Sequence, residues 1–474
     1  MALTEKKESC SSDIEDNSKS VELTRFNGGE KNDEEIMKPL VPSDENDVLY
    51  HKILFDSQGT SDESITIHSE GNVGSSGAHG DFGAIGTASP KQVAVNIFIS
   101  FVGAGMLGMP YAFARSGWLL GVVTLFITSA ANLYALLLLL ETRKKLESKG
   151  HENIMGYGDL GRIISGSQGE KFVNVCLVIS QVGFATAYII FIAANIGNIT
   201  ENRINRAQVC FGCVPILAML VQIKDMKKLA PFSLLADVAN ILGFSAVLMQ
   251  DFESYEYHHE PVIAINLAQV MYVASITLYS MEGVALVLPL ESSCADRDAF
   301  PSLFKKCIFG ITMLMAIFGF SGYIAFGQST QAPITLNLPG GVWAAFVKLA
   351  LCLALYLTYP IMMFPVHQVM EDMVMKGAGG RLSNIFFRAF VVLFSAFIAY
   401  SIPDFGKFLS LVGASICTIL GFILPSYYHL KVFERSELTI LEYFMDLFLI
   451  LFGVIFGVFG TYQSFRDLLS NEQM

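Results

Sequence analysis

Charge is scarce in this chain. Only 16% of its 474 residues are Asp, Glu, Lys or Arg, against about 25% in soluble domains. What charge there is sits at one end. Residues 1–90 carry seven basic and 18 acidic side chains, −11 of a net −12, and the rest is almost neutral. A body with no basic excess has nothing to hold phosphates with, so nucleic acid is not expected as a partner, and a soluble enzyme is equally disfavoured. Cysteine is sparse too. The eight are scattered, and Cys210-Phe-Gly-Cys213 is a lone C-x-x-C. A structural zinc site wants four ligands and no second pair is in view, so neither a metal nor a disulfide scaffold is expected. The start of the chain lacks a basic stretch followed by an apolar core, so no cleaved signal peptide is expected and the first apolar span must do the targeting.

What is present is apolar: 53% of residues, with a mean hydropathy of +0.49. Residues 1–90, rich in Ser, Asp, Glu, Gly and Asn, cannot bury enough apolar surface to offset their ordering entropy and read as a disordered cytosolic tail. Tyr50-His51-Lys52-Ile53 in that tail fits a Tyr-x-x-apolar sorting signal. Beyond it lie runs long enough to cross a bilayer core, which needs about 20 apolar residues. We expect eleven: 92–113, 117–140, 172–199, 207–223, 228–250, 262–289, 304–327, 341–370, 383–402, 404–430 and 440–465. The expected class is thus an all-α membrane protein in a lipid bilayer. With the N-terminus in the cytosol, 16 basic residues fall in inner loops and five outside, consistent with the positive-inside bias. The short C-terminal tail, 467–474, then lies on the far side. The far-side loop 251–260 contains His258-His259 and no Lys or Arg. Asn198-Ile199-Thr200 is a glycosylation sequon at the end of the third span, too near the membrane to be expected as modified.

Two spans contain helix breakers. The first reads Phe101-Val102-Gly103-Ala104-Gly105-Met106-Leu107-Gly108-Met109-Pro110, the sixth Tyr279-Ser280-Met281-Glu282-Gly283 through Pro289. In a helix interior Gly costs about 1 kcal/mol and Pro about 3 kcal/mol relative to Ala. In lipid, freed backbone groups are tolerated only where they line a cavity or are buried in protein. Breaks at the first and sixth positions suit a 5+5 inverted repeat, about 91–250 and 261–430, with an extra helix at 440–465. Free N–H groups of Gly103, Ala104 and Gly105 suit a substrate carboxylate. Ser280 and the carbonyl side of the second break suit an ammonium, with Tyr279, Met281 and Gly283 completing that wall. A site with both ends fits a zwitterion.

Glu282 is a mid-span acid beside the break, and intramembrane acids mark ion or proton paths. Asp237 in the fifth span is a second candidate for the proton, or a pin between helices. Glu141, Glu291 and Glu371 lie at span ends and read as wet. Tyr188, Tyr356 and Tyr359 are candidate gates. The eighth span has Thr358 but no adjacent Ser/Thr pair, which favours protons over sodium as the coupling ion. No histidine accompanies Asp237 and Glu282 at their depth, so no intramembrane catalytic cluster and no cofactor is expected. Gly453-x-x-x-Gly457 is a helix-packing motif that fits either a dimer or a contact within the chain.

The run Asn96 to Trp118 (NIFISFVGAGMLGMPYAFARSGW) resembles the amino acid/auxin permease family, its proton-coupled branch and above all the plant vacuolar amino acid transporters. Tyr157-Gly158-Asp159-Leu160-Gly161, Leu229-Ala230-Pro231-Phe232-Ser233, Met281-Glu282-Gly283 through Glu291, Gly322–Gly327 and Leu409–Ala414 match in order across 91–465. The resemblance implies a LeuT-like fold with eleven spans and proton-linked transport of amino acids, as export from an acidic lumen to the cytosol or as plasma-membrane uptake. An amino acid sensor signalling through the tail would share the same site. The chain departs from the family at Met281, where Phe is usual, which bears on the size of side chain accepted.

Overall fold

The computed structural model describes residues 86, 88–152, 154–223, 226–253, 269–370 and 381–469. The tail with Tyr50–Ile53, the His258-His259 pair and Glu371 lie outside the described residues. The described elements are helical apart from one isolated bridge.

The first span begins where the sequence says it should. Ser89 caps the helix reciprocally with Gln92, and Pro90, which has no N–H to waste, occupies the first turn of α1, Pro90–Phe101. The helix stops at Val102-Gly103, both extended, passes through a tight turn at Ala104–Gly108 and resumes as α2, Met109–Ser116, bent by 45°. Next come α3 (Trp118–Ser148), α4 (Tyr157–Ile199), α5 (Arg206–Gly212), α6 (Val214–Leu220) and α7 (Met226–Glu253). The sixth span is again two pieces, α8 (Val270–Ser280) and α9 (Val284–Ser293), with Met281–Gly283 unwound between them. The remainder is α10 (Phe300–Phe326), α11 (Val342–Met370), α12 (Arg381–Ser401), α13 (Phe405–Val412), α14 (Leu424–Val432) and α15 (Ile440–Leu469).

Among the described residues, eight helical stretches are long and apolar enough to cross a membrane, nine when the bent pair α1–α2 is taken as one span. The chain is a multi-pass membrane protein. The fourth expected span, α5 with α6, is too short for that criterion, and the fifth corresponds to the 28-residue α7. Several helices overrun their expected ends. The 31-residue α3 measures about 46 Å, longer than a hydrocarbon core of about 30 Å, because its last turns leave the bilayer as charged helix rather than loop. The third span starts fifteen residues early, at Tyr157, with a kink at Gly166.

Between α13 and α14 the tenth span widens into π turns at Gly413–Cys417 and Ile419–Ile423. These wide turns divert backbone carbonyls to side chains. Thr418 Oγ1 donates to Gly413 O at 3.0 Å and the Tyr157 hydroxyl to Leu420 O at 3.3 Å. Such bulges concentrate at functional sites. The two broken spans pack crosswise, the first half of each against the second half of the other, α1 beside α9 and α2 beside α8. α15 packs along α13, the π turns and α14, with Gly453 against Phe422 and Ile423 and Gly457 against Ala414 and Thr418. The Gly-x-x-x-Gly motif therefore serves contact within the chain.

Candidate functional site

The two breaks meet. A Cβ on Gly105 would overlap Ser280 Oγ and stand 3.0 Å from Ser280 Cα, so only glycine permits this approach. A Cβ on Gly283 would likewise overlap the Phe101 ring, at 2.7 Å from Cε1. Each break is thus seated on the flank of the other span. Around Gly103 there is open space, and its backbone is extended. Ala104 and Gly105 are buried, and Ser280 turns its hydroxyl back to Ile276 O at 2.8 Å. Met281 is fully buried, and its carbonyl, freed by the end of α8, accepts from Asn132 Nδ2 at 2.7 Å. The hydroxyl of Tyr279 and Oε1 of Glu282 are buried with no hydrogen-bond partner among the described residues. In a dry interior such atoms are costly unless something else satisfies them. The Tyr279 hydroxyl and Glu282 Oε1 are thus the unfilled polar atoms of the second break, and Gly103 of the first borders open space.

The Tyr279 ring packs edge-on against Phe184 of α4, with centroids 4.8 Å apart, and Tyr188 stands one turn further along the same helix face. Tyr188 is therefore brought to the second break. Tyr356 and Tyr359 are tied to neighbouring helices. Tyr356 donates to Cys213 O at 3.3 Å, tying α11 to α6, and Tyr359 pairs with Ser395 of α12 at 2.6 Å. Asp237 lies half-buried on α7, a helix that packs against α11 and α10. Asn198 accepts from Lys348 Nζ at 2.7 Å at the end of α4, so its side chain is engaged inside a helical turn.

The structure adds residues that the sequence reading missed. Asn132 stands in the middle of an apolar run, and that isolated amide was the available signal. Asn132→Ala leaves Met281 O unpaired, an expected cost of about 1–3 kcal/mol. Thermal unfolding in detergent should show a lowered midpoint. On the side of the basic loops, Arg143 of α3 reaches Glu291 of α9 at 3.0 Å, Leu288 O at 3.0 Å and Glu147 at 2.9 Å, while Arg297 joins Glu147 at 3.0 Å and Glu291 at 3.5 Å. Glu291, expected to be wet, is only 6% exposed. The correction has a simple cause: α3 continues two turns past its apolar run and carries Arg143 over the end of α9. Close by, Ala88 N donates to Ser293 O and Ala295 N to Ala88 O, both at 3.1 Å, strapping the chain before α1 to the end of α9. On the far side the Arg115 guanidinium lies 4.3 Å from the Tyr272 ring centroid and 3.4 Å from Asp467. Charged side chains thus stand at both ends of the broken spans.

A model of the family described as transmembrane amino acid transporter protein matches residues 86–466. Among similar proteins, Amino acid transporter AVT3A of Arabidopsis thaliana is 36% identical over 395 residues, 81% of this chain and 91% of that protein. Vacuolar amino acid transporter 3 of Saccharomyces cerevisiae is 28% identical, over 80% of this chain and 57% of that one. Among solved structures, the nucleobase-cation-symport-1 family transporter Mhp1, in a closed conformation with bromovinylhydantoin bound, matches with a TM-score of 0.51 at 13% identity, over 82% of this chain and 94% of that one. At that identity the likeness is one of fold, and the fold is the LeuT-like one that the resemblance implies.

Proposed function

The chain belongs to the family of transmembrane amino acid transporters, and from that premise we propose that it is a proton-coupled carrier of neutral amino acids, moving them from an acidic, vacuole-like lumen to the cytosol. The observation that carries the reading is the meeting of two broken helices with an unpartnered, buried carboxylate oxygen at the junction. Backbone N–H groups at Gly103, Ala104 and Gly105 hold the substrate carboxylate. The wall Tyr279–Met281 with Gly283 faces its other end, and Met281 and the Phe184–Tyr279–Tyr188 group limit the side chain accepted. Glu282 takes a proton when the site faces the acidic side and gives it up when the site faces the cytosol, since an ionised carboxylate is disfavoured in a closed, dry site. Asp237 is the alternative carrier of that proton. The vacuolar membrane is inferred from the names of the relatives.

The test is uptake of labelled alanine into liposomes under an imposed pH gradient, wild type beside Glu282→Gln. Wild-type uptake is expected to follow the gradient. The variant should lose that dependence and at least ten-fold in gradient-driven rate. Full coupling in the variant would move the proton to Asp237 or elsewhere, and binding without flux in the wild type would make the protein a sensor.

A further inference from the structure

Another buried acid lies far from the breaks in sequence, between the extra helix and the transport body. Asp446 of α15 is 0% exposed and its Oδ2 is 2.7 Å from Nδ1 of His429 on α14, itself 2% exposed. The other ring nitrogen of His429, Nε2, faces Glu141 of α3 at 3.7 Å, and that carboxylate is 61% exposed. We propose that Glu141, His429 and Asp446 form a proton-binding site, separate from Glu282, whose occupancy fastens α15 to α3 and α14.

The chemistry follows from the donor inventory. A neutral imidazole has one N–H and one lone pair, whereas ionised carboxylates only accept. A ring with a carboxylate at each nitrogen can donate to both only as the imidazolium. Without that proton, one lone pair faces a carboxylate, or a fully buried Asp446 is left without a cation. Removing one partner of a buried pair is far costlier than the pair is worth. The surroundings add no second cation. The Tyr134 hydroxyl of α3 faces Asp446 as a neutral donor, which carries no charge to balance the carboxylate, and Ser426 Oγ of α14 is buried beside them without a hydrogen-bond partner among the described residues. Glu442, one turn before Asp446, adds negative charge. The nearby cations are engaged elsewhere: Lys145 with Glu437 and over the Phe433 ring, which packs on His429, and Lys431 with Ser165 and Tyr427. Lys305 faces the outer carboxylate, Glu141, and Tyr157 of α4 meets α14 through the Tyr428 ring. His429 is thus the one basic side chain held between these acids. Exposed Glu141, buried His429 and buried Asp446 form a graded path along which a proton enters from the basic-loop side.

This site does not depend on the transport reading, and its test reads protonation directly. In the purified full-length protein, exchange of the imidazole C2 hydrogen at His429 is followed by mass spectrometry from pH 5 to 9, together with backbone amide exchange over 440–449. The wild type should give a sigmoidal curve for His429. Its midpoint should move by at least one pH unit in Asp446→Asn, and by a smaller amount in Glu141→Gln, an exposed change that leaves the fold intact. Amides 440–449 should exchange at least three-fold faster once His429 loses its proton. A flat His429 curve, or a midpoint unmoved in Glu141→Gln and in any Asp446→Asn protein that folds, would overturn the site. A titrating His429 with unchanged amides would overturn its role as a fastener.

Discussion

Arg143→Ala is expected to destabilise the protein by about 3–5 kcal/mol, the usual penalty for leaving a buried charge without its partner. Arg143 is 4% exposed and Glu291 6%, and Arg143 also serves Leu288 O at the end of α9. Truncation leaves Glu291 with Arg297 at 3.5 Å as its remaining partner among the described ion pairs. Two comparisons separate this from a general loss of positive charge. Lys144→Ala removes a neighbouring pair with Asp298 whose side chains are 75% and 86% exposed, and should leave the unfolding midpoint unchanged, because exposed pairs are screened by water. The double variant Arg143→Met, Glu291→Met removes both charges together and should recover part of the loss. Thermal and denaturant unfolding of the purified protein measure all three. If Arg143→Ala and Lys144→Ala behaved alike, the buried network would have no special weight.

Gly413→Ala is expected to be the most damaging single methyl among the described glycines. In an ordinary helix, replacing Gly by Ala stabilises by about 1 kcal/mol. Here a Cβ would overlap the Ser275 carbonyl oxygen, at 2.7 Å from its carbon and 3.2 Å from Tyr279 N. Those are backbone atoms of α8, which cannot rotate away as a side chain would. Overpacking of this kind costs about 1–3 kcal/mol. The displaced turn is the one that ends at Tyr279 and Ser280, so the strain is delivered to the second break. Transport should fall at least ten-fold in liposomes even where the protein still folds. Gly457→Ala is the control, since its Cβ would meet its neighbours at an ordinary 3.7 Å and uptake should be normal.

The breaks were legible because their signal is local. Gly and Pro weaken a helix wherever they stand, and two such clusters at matching ordinal positions announce themselves without any knowledge of packing. Glu282 was legible for the same reason, as an acid in an apolar run. Side chains whose meaning lies in a distant partner were not. Glu291 reads as a wet helix end until Arg143 is carried over it by two extra turns of α3. For Tyr356 and Tyr359, read as candidate gates, the partners of the hydroxyls, Cys213 O and Ser395, lie 143 and 36 residues away and were not legible. Of the two π turns, the first takes a bond from nearby Thr418, but the second takes one from the Tyr157 hydroxyl, 263 residues away. Span boundaries erred where hydropathy ends but the helix does not, as at Tyr157 and Ser148.

The strap at Ala88 has a mechanical consequence. α1 and α9 are joined twice, by two backbone hydrogen bonds at their outer ends and by the seat of Phe101 on Gly283 at their inner ends. Two rods pinned at both ends behave as one crank. Neither can swing without the other, and within the two broken spans the unwound segments are Val102-Gly103 and Met281–Gly283. Both pivots of the crank therefore lie at the junction of the two breaks, so a small rotation begun there sweeps the basic-loop ends of both rods through the same arc.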